Sequence, residues 1–157
     1  MSKFLKKRPL IKYFIFTILY LCGGCQMSAE KVQPSIGMQM SNTQSQKAGM
    51  EMVSSGVMAD IYTVYMDELK YSTGVDKRNS VIYISTQDDK FRTPEGLGMG
   101  ADLQDVLDHS TVGLVKEAGW AYYVKLESGW NAAFIVGTTM TDEDPPLEAK
   151  VSWFFKR

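Results

Sequence analysis

Histidine is nearly missing from this chain, cysteine is confined to one short stretch, and no apolar run reaches the length of a membrane span. His109 is the only imidazole among 157 residues. A histidine-based zinc site would therefore lack its usual second nitrogen ligand, and a Ser-His-acid enzyme would have one candidate base. That residue follows Asp108 at the end of a short helical pattern, where a solvent-facing imidazole interacts favourably with the helix dipole. No Gly-x-Ser-x-Gly elbow and no glycine-rich phosphate loop with lysine occurs. The two cysteines, Cys22 and Cys25, have the spacing of a redox or zinc pair, but neither a strand-helix context nor two further ligands accompanies them. The apolar run from Tyr13 to Leu21 falls short of the roughly 20 residues a spanning helix needs. The net charge is −1, and outside the first twelve residues the chain has none of the Lys/Arg clustering that phosphate neutralisation requires, which argues against a nucleic-acid partner.

What the chain does have is an N-terminal address. Lys3, Lys6, Lys7, Arg8 and Lys12 precede the apolar run, and Gly23 and Gly24 lead into Cys25. A basic head, a short apolar middle and a small-residue cut site are the parts of a secretory signal. Their order resembles a bacterial lipoprotein signal, although Cys22 stands where such signals usually carry leucine. The resemblance implies that residues 1–24 are a signal peptide and that Cys25 becomes the first mature residue, carrying palmitate among its acyl chains. Two or more chains make a durable membrane anchor where one does not. Gln26, rather than aspartate, after the cysteine favours the outer membrane, with the protein body in the periplasm. Loss of the five basic residues in 1–24 leaves 12 basic against 18 acidic side chains, a net charge of −6. Cys25 is then the only thiol, so no disulfide forms within a subunit.

Residues 25–52 read as a flexible tether. Ser, Gln, Asn, Gly and Met dominate, no aromatic occurs between Gln26 and Asp60, and neither strand nor helix periodicity is sustained. Within it, Gly37-Met38-Gln39-Met40 and Gly49-Met50-Glu51-Met52 repeat one pattern twelve residues apart. Paired thioethers are soft ligands suited to Cu(I), which makes Met38, Met40, Met50 and Met52 a candidate metal set. No other cofactor is implied.

Residues 53–157 read as one globular domain. Ile61–Met66 and Val81–Thr86 are rich in strand formers, with Tyr71–Ser80 as the loop between them. Thr93-Pro94-Glu95-Gly96 has the residues of a type I turn. Asp102 is a candidate N-cap with Asp105 three residues on, and Leu103, Val106 and Leu107 form an apolar stripe, which predicts a short helix. Trp120–Glu127 and Trp130–Val136 flank Ser128-Gly129 and predict a hairpin. A two-residue turn places Tyr122, Val124, Leu126, Ala133 and Ile135 on one face and Tyr123, Lys125, Trp130 and Phe134 on the other. Val151–Lys156 closes the chain as a strand. The expected fold is α+β: an antiparallel sheet of about five strands with one short helix packed on one face.

Gly98-Met99 followed by Leu103, Asp105, Val106 and Leu107, and then a hairpin of aromatic strands, resembles the small envelope lipoproteins of the SmpA/OmlA (BamE-like) type. The likeness spans residues 93–136 and differs in having strands before the helix and Gly100 after Gly-Met. It implies a related fold and no particular activity. Because the predicted hairpin is apolar on both faces, Tyr123, Trp130 and Phe134 form a candidate exposed contact surface. The reading is a lipid-anchored, non-catalytic accessory module that engages a protein partner or an envelope polymer through that aromatic face. The alternatives are a small carboxylate-dependent glycan hydrolase, drawing on Asp102, Asp105, Asp108 or Asp142–Asp144, and Cu(I) binding by the methionine tether.

Overall fold

Period-two burial, rather than helical spacing, governs most of the chain. In a computed structural model, the described residues are 33–40, 45–137 and 141–157, and they belong to one compact unit, Lys31–Arg157. The signal segment 1–24 and Cys25 lie outside the described residues. Eight strands form: β1 (Ser45–Ser54), β2 (Val57–Met66), β3 (Leu69–Val75), β4 (Val81–Thr86), β5 (Leu114–Glu117), β6 (Ala121–Lys125), β7 (Asn131–Phe134) and β8 (Trp153–Lys156). The one helix among the described residues, α1, is the five-residue Leu103–Leu107.

All pairings are antiparallel, in the order β1-β2-β3-β4-β8-β7-β6-β5. The last strand thus sits in the middle and joins two meanders, β1–β4 and β5–β7. The expected α+β class with five strands is overturned: the fold is a mostly antiparallel β-sheet of eight strands with a minimal helix.

Three strands were hidden in the sequence for different reasons. β1 lies inside the stretch expected to be tether, where exposed polar and methionine side chains conceal a strand stabilised by pairing with β2. β3 starts directly after Asp67 and Glu68, whose positive φ angles of 48° and 64° make the tight turn that hairpins of this twist require, without the usual Asn-Gly signal. Ser72, Thr73 and Gly74 read as turn residues, yet Thr73 and Gly74 are buried mid-strand. β5 is a short edge strand with alternate residues exposed.

The aromatic hairpin exists, but its register is one residue from the expected one. Tyr122 pairs with Phe134, Tyr123 with Ala133 and Val124 with Ala132, and the Leu126 amide donates to the Trp130 carbonyl at 2.9 Å. The turn therefore holds three residues, Glu127, Ser128 and Gly129, with Gly129 at φ 79° taking the left-handed position of a three-residue loop. A one-residue slip exchanges faces on one strand relative to the other. Trp130 and Phe134 consequently join Tyr122, Val124 and Leu126 in one apolar cluster, while Tyr123 lies in another.

The sheet curls. Eight strands spaced ~4.8 Å apart would hold β1 and β5 more than ~30 Å from each other if flat. Instead the Ser54 hydroxyl donates to the Glu117 carboxylate at 2.7 Å. The inner face packs Val53, Ala59, Ile61, Tyr83, Trp120, Tyr123 and Phe155. Gly74 permits the closure, because a Cβ there would meet the Tyr83 and Ala59 Cβ atoms at 3.1 and 3.2 Å. The outer face, with Tyr71, Ile84, Trp130, Phe134 and Phe154, is covered by loops and α1 through Phe91, Leu97, Leu103, Val106 and Val151. Residues 37–40 also dock there: the Gly37 amide donates to the Val81 carbonyl and the Val81 amide to the Met38 carbonyl, at 2.8 and 2.9 Å.

α1 starts differently from the expected capping box. Asp102 makes no side-chain cap; its carboxylate pairs with Lys150. The Leu103 and Gln104 amides donate instead to the Ala149 and Leu147 carbonyls, at 2.9 and 3.0 Å. The Thr93–Gly96 turn does form, closed by the Gly96 amide on the Thr93 carbonyl at 2.9 Å. Among the described residues no helix is long and apolar enough to cross a membrane.

Candidate ligand groove

The contact between β1 and β5 is a latch built around one carboxylate. Glu117 accepts hydrogen bonds from the Ser54 hydroxyl and the Ser55 amide, both at 2.7 Å, and from both terminal nitrogens of Arg157. These donors, the Arg157 guanidinium first, hold the Glu117 carboxyl down at about 2 despite burial. The guanidinium lies 4.8 Å from the Trp120 ring centre and 5.4 Å from those of Tyr123 and Phe155, so cation–π attraction from three rings adds to the charge pairing. Trp120 adds a bond from its indole N–H to the Met52 carbonyl at 2.9 Å.

Across the curled sheet, from β1 and β2 to β4 and β8, runs a groove of about 680 Å³, a volume in the usual range for ligand sites. Met50, Met52 and Met58 line its rim, and Tyr83, Trp120 and Trp153 form an apolar wall. Lys70, Ser72, Ser85, Gln87 and Asp88 supply a polar wall. The Trp153 indole N–H donates to the Tyr83 hydroxyl at 3.1 Å, and burial pushes the Tyr83 phenol up to about 12; it is a fixed neutral group. Asp88 accepts the Lys70 and Lys90 amides at 3.0 and 2.9 Å, which lower its pKa. The groove thus offers ring faces, thioethers and hydroxyls beside an edge strand that pairs on one side only.

The residues expected to form an exposed aromatic surface do not do so. Tyr123, Trp130 and Phe134 are 6%, 1% and 0% exposed, and the shifted register sends the first to the inner cluster and the other two to the outer one. The four candidate methionines are also divided. Met38 and Met40 pack against the outer cluster, whereas Met50 and Met52 stand exposed on β1. The carboxylates considered for hydrolysis lie outside the groove lining. Asp144 accepts the Tyr122 hydroxyl at 2.5 Å, Asp108 accepts the Gln104 amide at 3.0 Å, and His109 is exposed at the helix end. Sequence reasoning missed the groove because part of its lining, Met50–Met52 on β1 and Ser72 on β3, belongs to stretches read as tether and loop. The signal that could have found β3 is the alternation of Leu69, Tyr71 and Thr73 with Lys70 and Ser72.

No family model matches the chain, and no curated protein matches it. Among solved structures it is similar to the crystal structure of the uncharacterized protein yfeY from Escherichia coli. The TM-score is 0.50 at 19% identity, over 82% of this chain and 99% of that one. At this identity the likeness is one of fold alone.

Proposed function

We propose that the chain is an envelope lipoprotein, held at the outer membrane by acylated Cys25, whose folded part is a non-catalytic binding module for an extended segment of a partner protein. The observation that carries the binding reading is the groove of about 680 Å³ alongside β1. An extended segment can satisfy the unpaired backbone of an edge strand while its alternate side chains enter a flanking groove. The thioether rim suits this task, since flexible methionines accommodate varied apolar side chains.

The hydrolase reading is weaker on the same ground. A glycan hydrolase needs one carboxyl with a raised pKa as general acid. Of the carboxylates lining the groove, Glu51 and Asp88, Asp88 is held in its charged form by two backbone amides.

Photo-crosslinking amino acids at Ser72 and Ser85 test the binding site. Discrete protein adducts from these groove positions in intact envelopes, and none from Leu147 on an exposed loop, are expected. Equal adducts from all three positions, or none from any, refute the groove as a docking site. The anchor is tested separately: radiolabelled palmitate enters the native chain and not Cys25→Ser, and no incorporation into either defeats the lipoprotein reading.

A further inference from the structure

Three thioethers of the chain are placed together by strand register without being used in either apolar cluster. Met52 pairs directly with Met58, and Met50 pairs with Asp60 two residues along the same ladder. Cross-strand partners and residues two apart on one strand share a face, so Met50, Met52 and Met58 project on the same side of the β1–β2 hairpin. Directly paired Cβ atoms lie roughly 5 Å apart and diagonal ones roughly 7–8 Å apart, within reach of three-torsion side chains that converge on one atom. All three are exposed, at 62%, 42% and 52%, and all three line the same groove. Apolar packing accounts for Met38 and Met40; it does not account for these.

We propose that Met50, Met52 and Met58 form a binding site for one soft monovalent cation, Cu(I) in an oxidising compartment. A set of neutral thioethers selects soft, low-charge ions over Zn²⁺, Ca²⁺ or Mg²⁺, which prefer imidazole, thiolate or oxygen donors. Because thioethers carry no proton to lose, binding is insensitive to pH where carboxylate or thiolate sites are not. Asp60 stands across from Met50 and is ion-paired with Lys47 at 3.1 Å, so the cation meets a nearby carboxylate rather than an unbalanced positive charge. This site differs from the four-methionine set suggested by the Gly-Met-x-Met repeats: it keeps the second pair, drops Met38 and Met40, and recruits Met58 from the neighbouring strand. It does not depend on acylation or on a peptide in the groove.

The test uses the full chain with Cys22→Ser and Cys25→Ser, so that no thiolate competes, labelled with ¹³C at the methionine methyls. One equivalent of Ag(I), a redox-inert soft cation, is added in chloride-free buffer. Three of the ten methionine methyl resonances shift, assigned by single Met→Leu variants to Met50, Met52 and Met58. Each of those variants weakens silver affinity by about tenfold or more, the scale on which support of a metal is lost, while Met38→Leu/Met40→Leu leaves it unchanged. Shifts spread over all ten methyls, shifts at Met38 and Met40, or no shift at one equivalent overturn the proposal. The silver titration is read on the purified chain with no partner protein present, and crosslinking from Ser72 and Ser85 is read in envelopes without added silver. Loss of metal binding and loss of peptide docking are thereby told apart.

Discussion

Two buried tyrosines on the outer face differ in one respect, which makes opposite predictions for the same substitution. Tyr71 is 0% exposed, and its hydroxyl has no hydrogen-bond partner among the described residues; its ring packs edge-on against Phe91 with centroids 6.3 Å apart. Tyr122 is equally buried, but its hydroxyl donates to Asp144 at 2.5 Å and lies 3.3 Å from the Thr141 carbonyl. Leaving a buried polar group unsatisfied costs about 1–3 kcal/mol, whereas a hydrogen bond to a charged group contributes about 1.5–3 kcal/mol. Tyr71→Phe keeps the ring contact and removes only the orphaned oxygen, so it stabilises the fold by about 1 kcal/mol once the small void is offset. Tyr122→Phe destabilises it by about 2 kcal/mol and strands Asp144. Urea unfolding followed by tryptophan fluorescence measures both, with midpoints moving in opposite directions by roughly 0.5–1 M at a typical slope.

Alkaline pH provides an independent check on Tyr71. Burial, with Asp67 and Asp88 nearby, pushes its phenol up to about 12. The folded state then holds its proton while the unfolded state releases it above pH ~10, so stability is lost as pH rises from about 10 to 12. Tyr71→Phe shows a shallower loss in that window. A Tyr71→Phe midpoint that falls as far as that of Tyr122→Phe refutes the reasoning, because it requires a partner for the Tyr71 hydroxyl.

The latch responds to acid in the opposite sense. Glu117 is held at about 2 by Arg157 and the Ser54–Ser55 donors, so its contribution is present above pH ~4.5 and disappears as pH falls toward 2. With its side chain 17% exposed, a discounted figure is about 2 kcal/mol. Glu117→Gln flattens the acid limb of a stability-against-pH curve, and an unchanged limb contradicts the assignment. Gly74→Ala forces a methyl against the Tyr83 and Ala59 Cβ atoms and costs about 1–3 kcal/mol by overpacking; a neutral result in thermal unfolding shows that β2 and β4 can separate. Arg157→Met keeps an apolar stem over Trp120 yet removes the pairing with Glu117. Amide hydrogen exchange of β1 then accelerates while β8 stays protected, and uniform acceleration would mean global destabilisation instead.

How far the fold could be read from the sequence depended on whether a strand carried its own signal. β4, β6 and β8 are rich in β-branched or aromatic residues, with both faces largely covered, so their composition declares them, and β7, Asn-Ala-Ala-Phe, is legible through the Ser128-Gly129 turn that joins it to β6. β1 carries almost no apolar pattern because seven of its ten residues are exposed. Its stability comes from β2 and from the distant Glu117, and no local window contains that information. The hairpin failure is subtler. Ser128-Gly129 marked the turn correctly, but a dipeptide does not state whether Glu127 belongs to the strand or to the loop. That single residue decided whether Trp130 and Phe134 sat with Tyr123 or with Tyr122, and so displaced the whole expected contact surface.

The methionine repeats show how topology turns a linear motif into two different structures. Gly37–Met40 and Gly49–Met52 are alike in sequence, but the second lies within β1, whereas Gly37 sits in a turn at φ 85° and Gln39 makes one isolated bridge to Ser80. Met38 and Met40 meet the outer face of a sheet already supplied with Tyr71, Val81 and Trp130, and there they serve as packing. Met50 and Met52 lie on an edge strand whose neighbour presents Met58 and which no further strand among the described residues covers. Chemistry that was ambiguous in the repeat becomes specific only through the register of β1 against β2. A deletion that moves this register by one residue, leaving all ten methionines in place, would abolish a convergent site. Deleting Gly56 from the Ser55-Gly56 turn, where φ is 71°, is such a change. The resulting chain keeps its thioether count while losing silver-induced shifts at Met58; retention of the three-methyl pattern in it would show that proximity in sequence, not strand pairing, gathers the ligands.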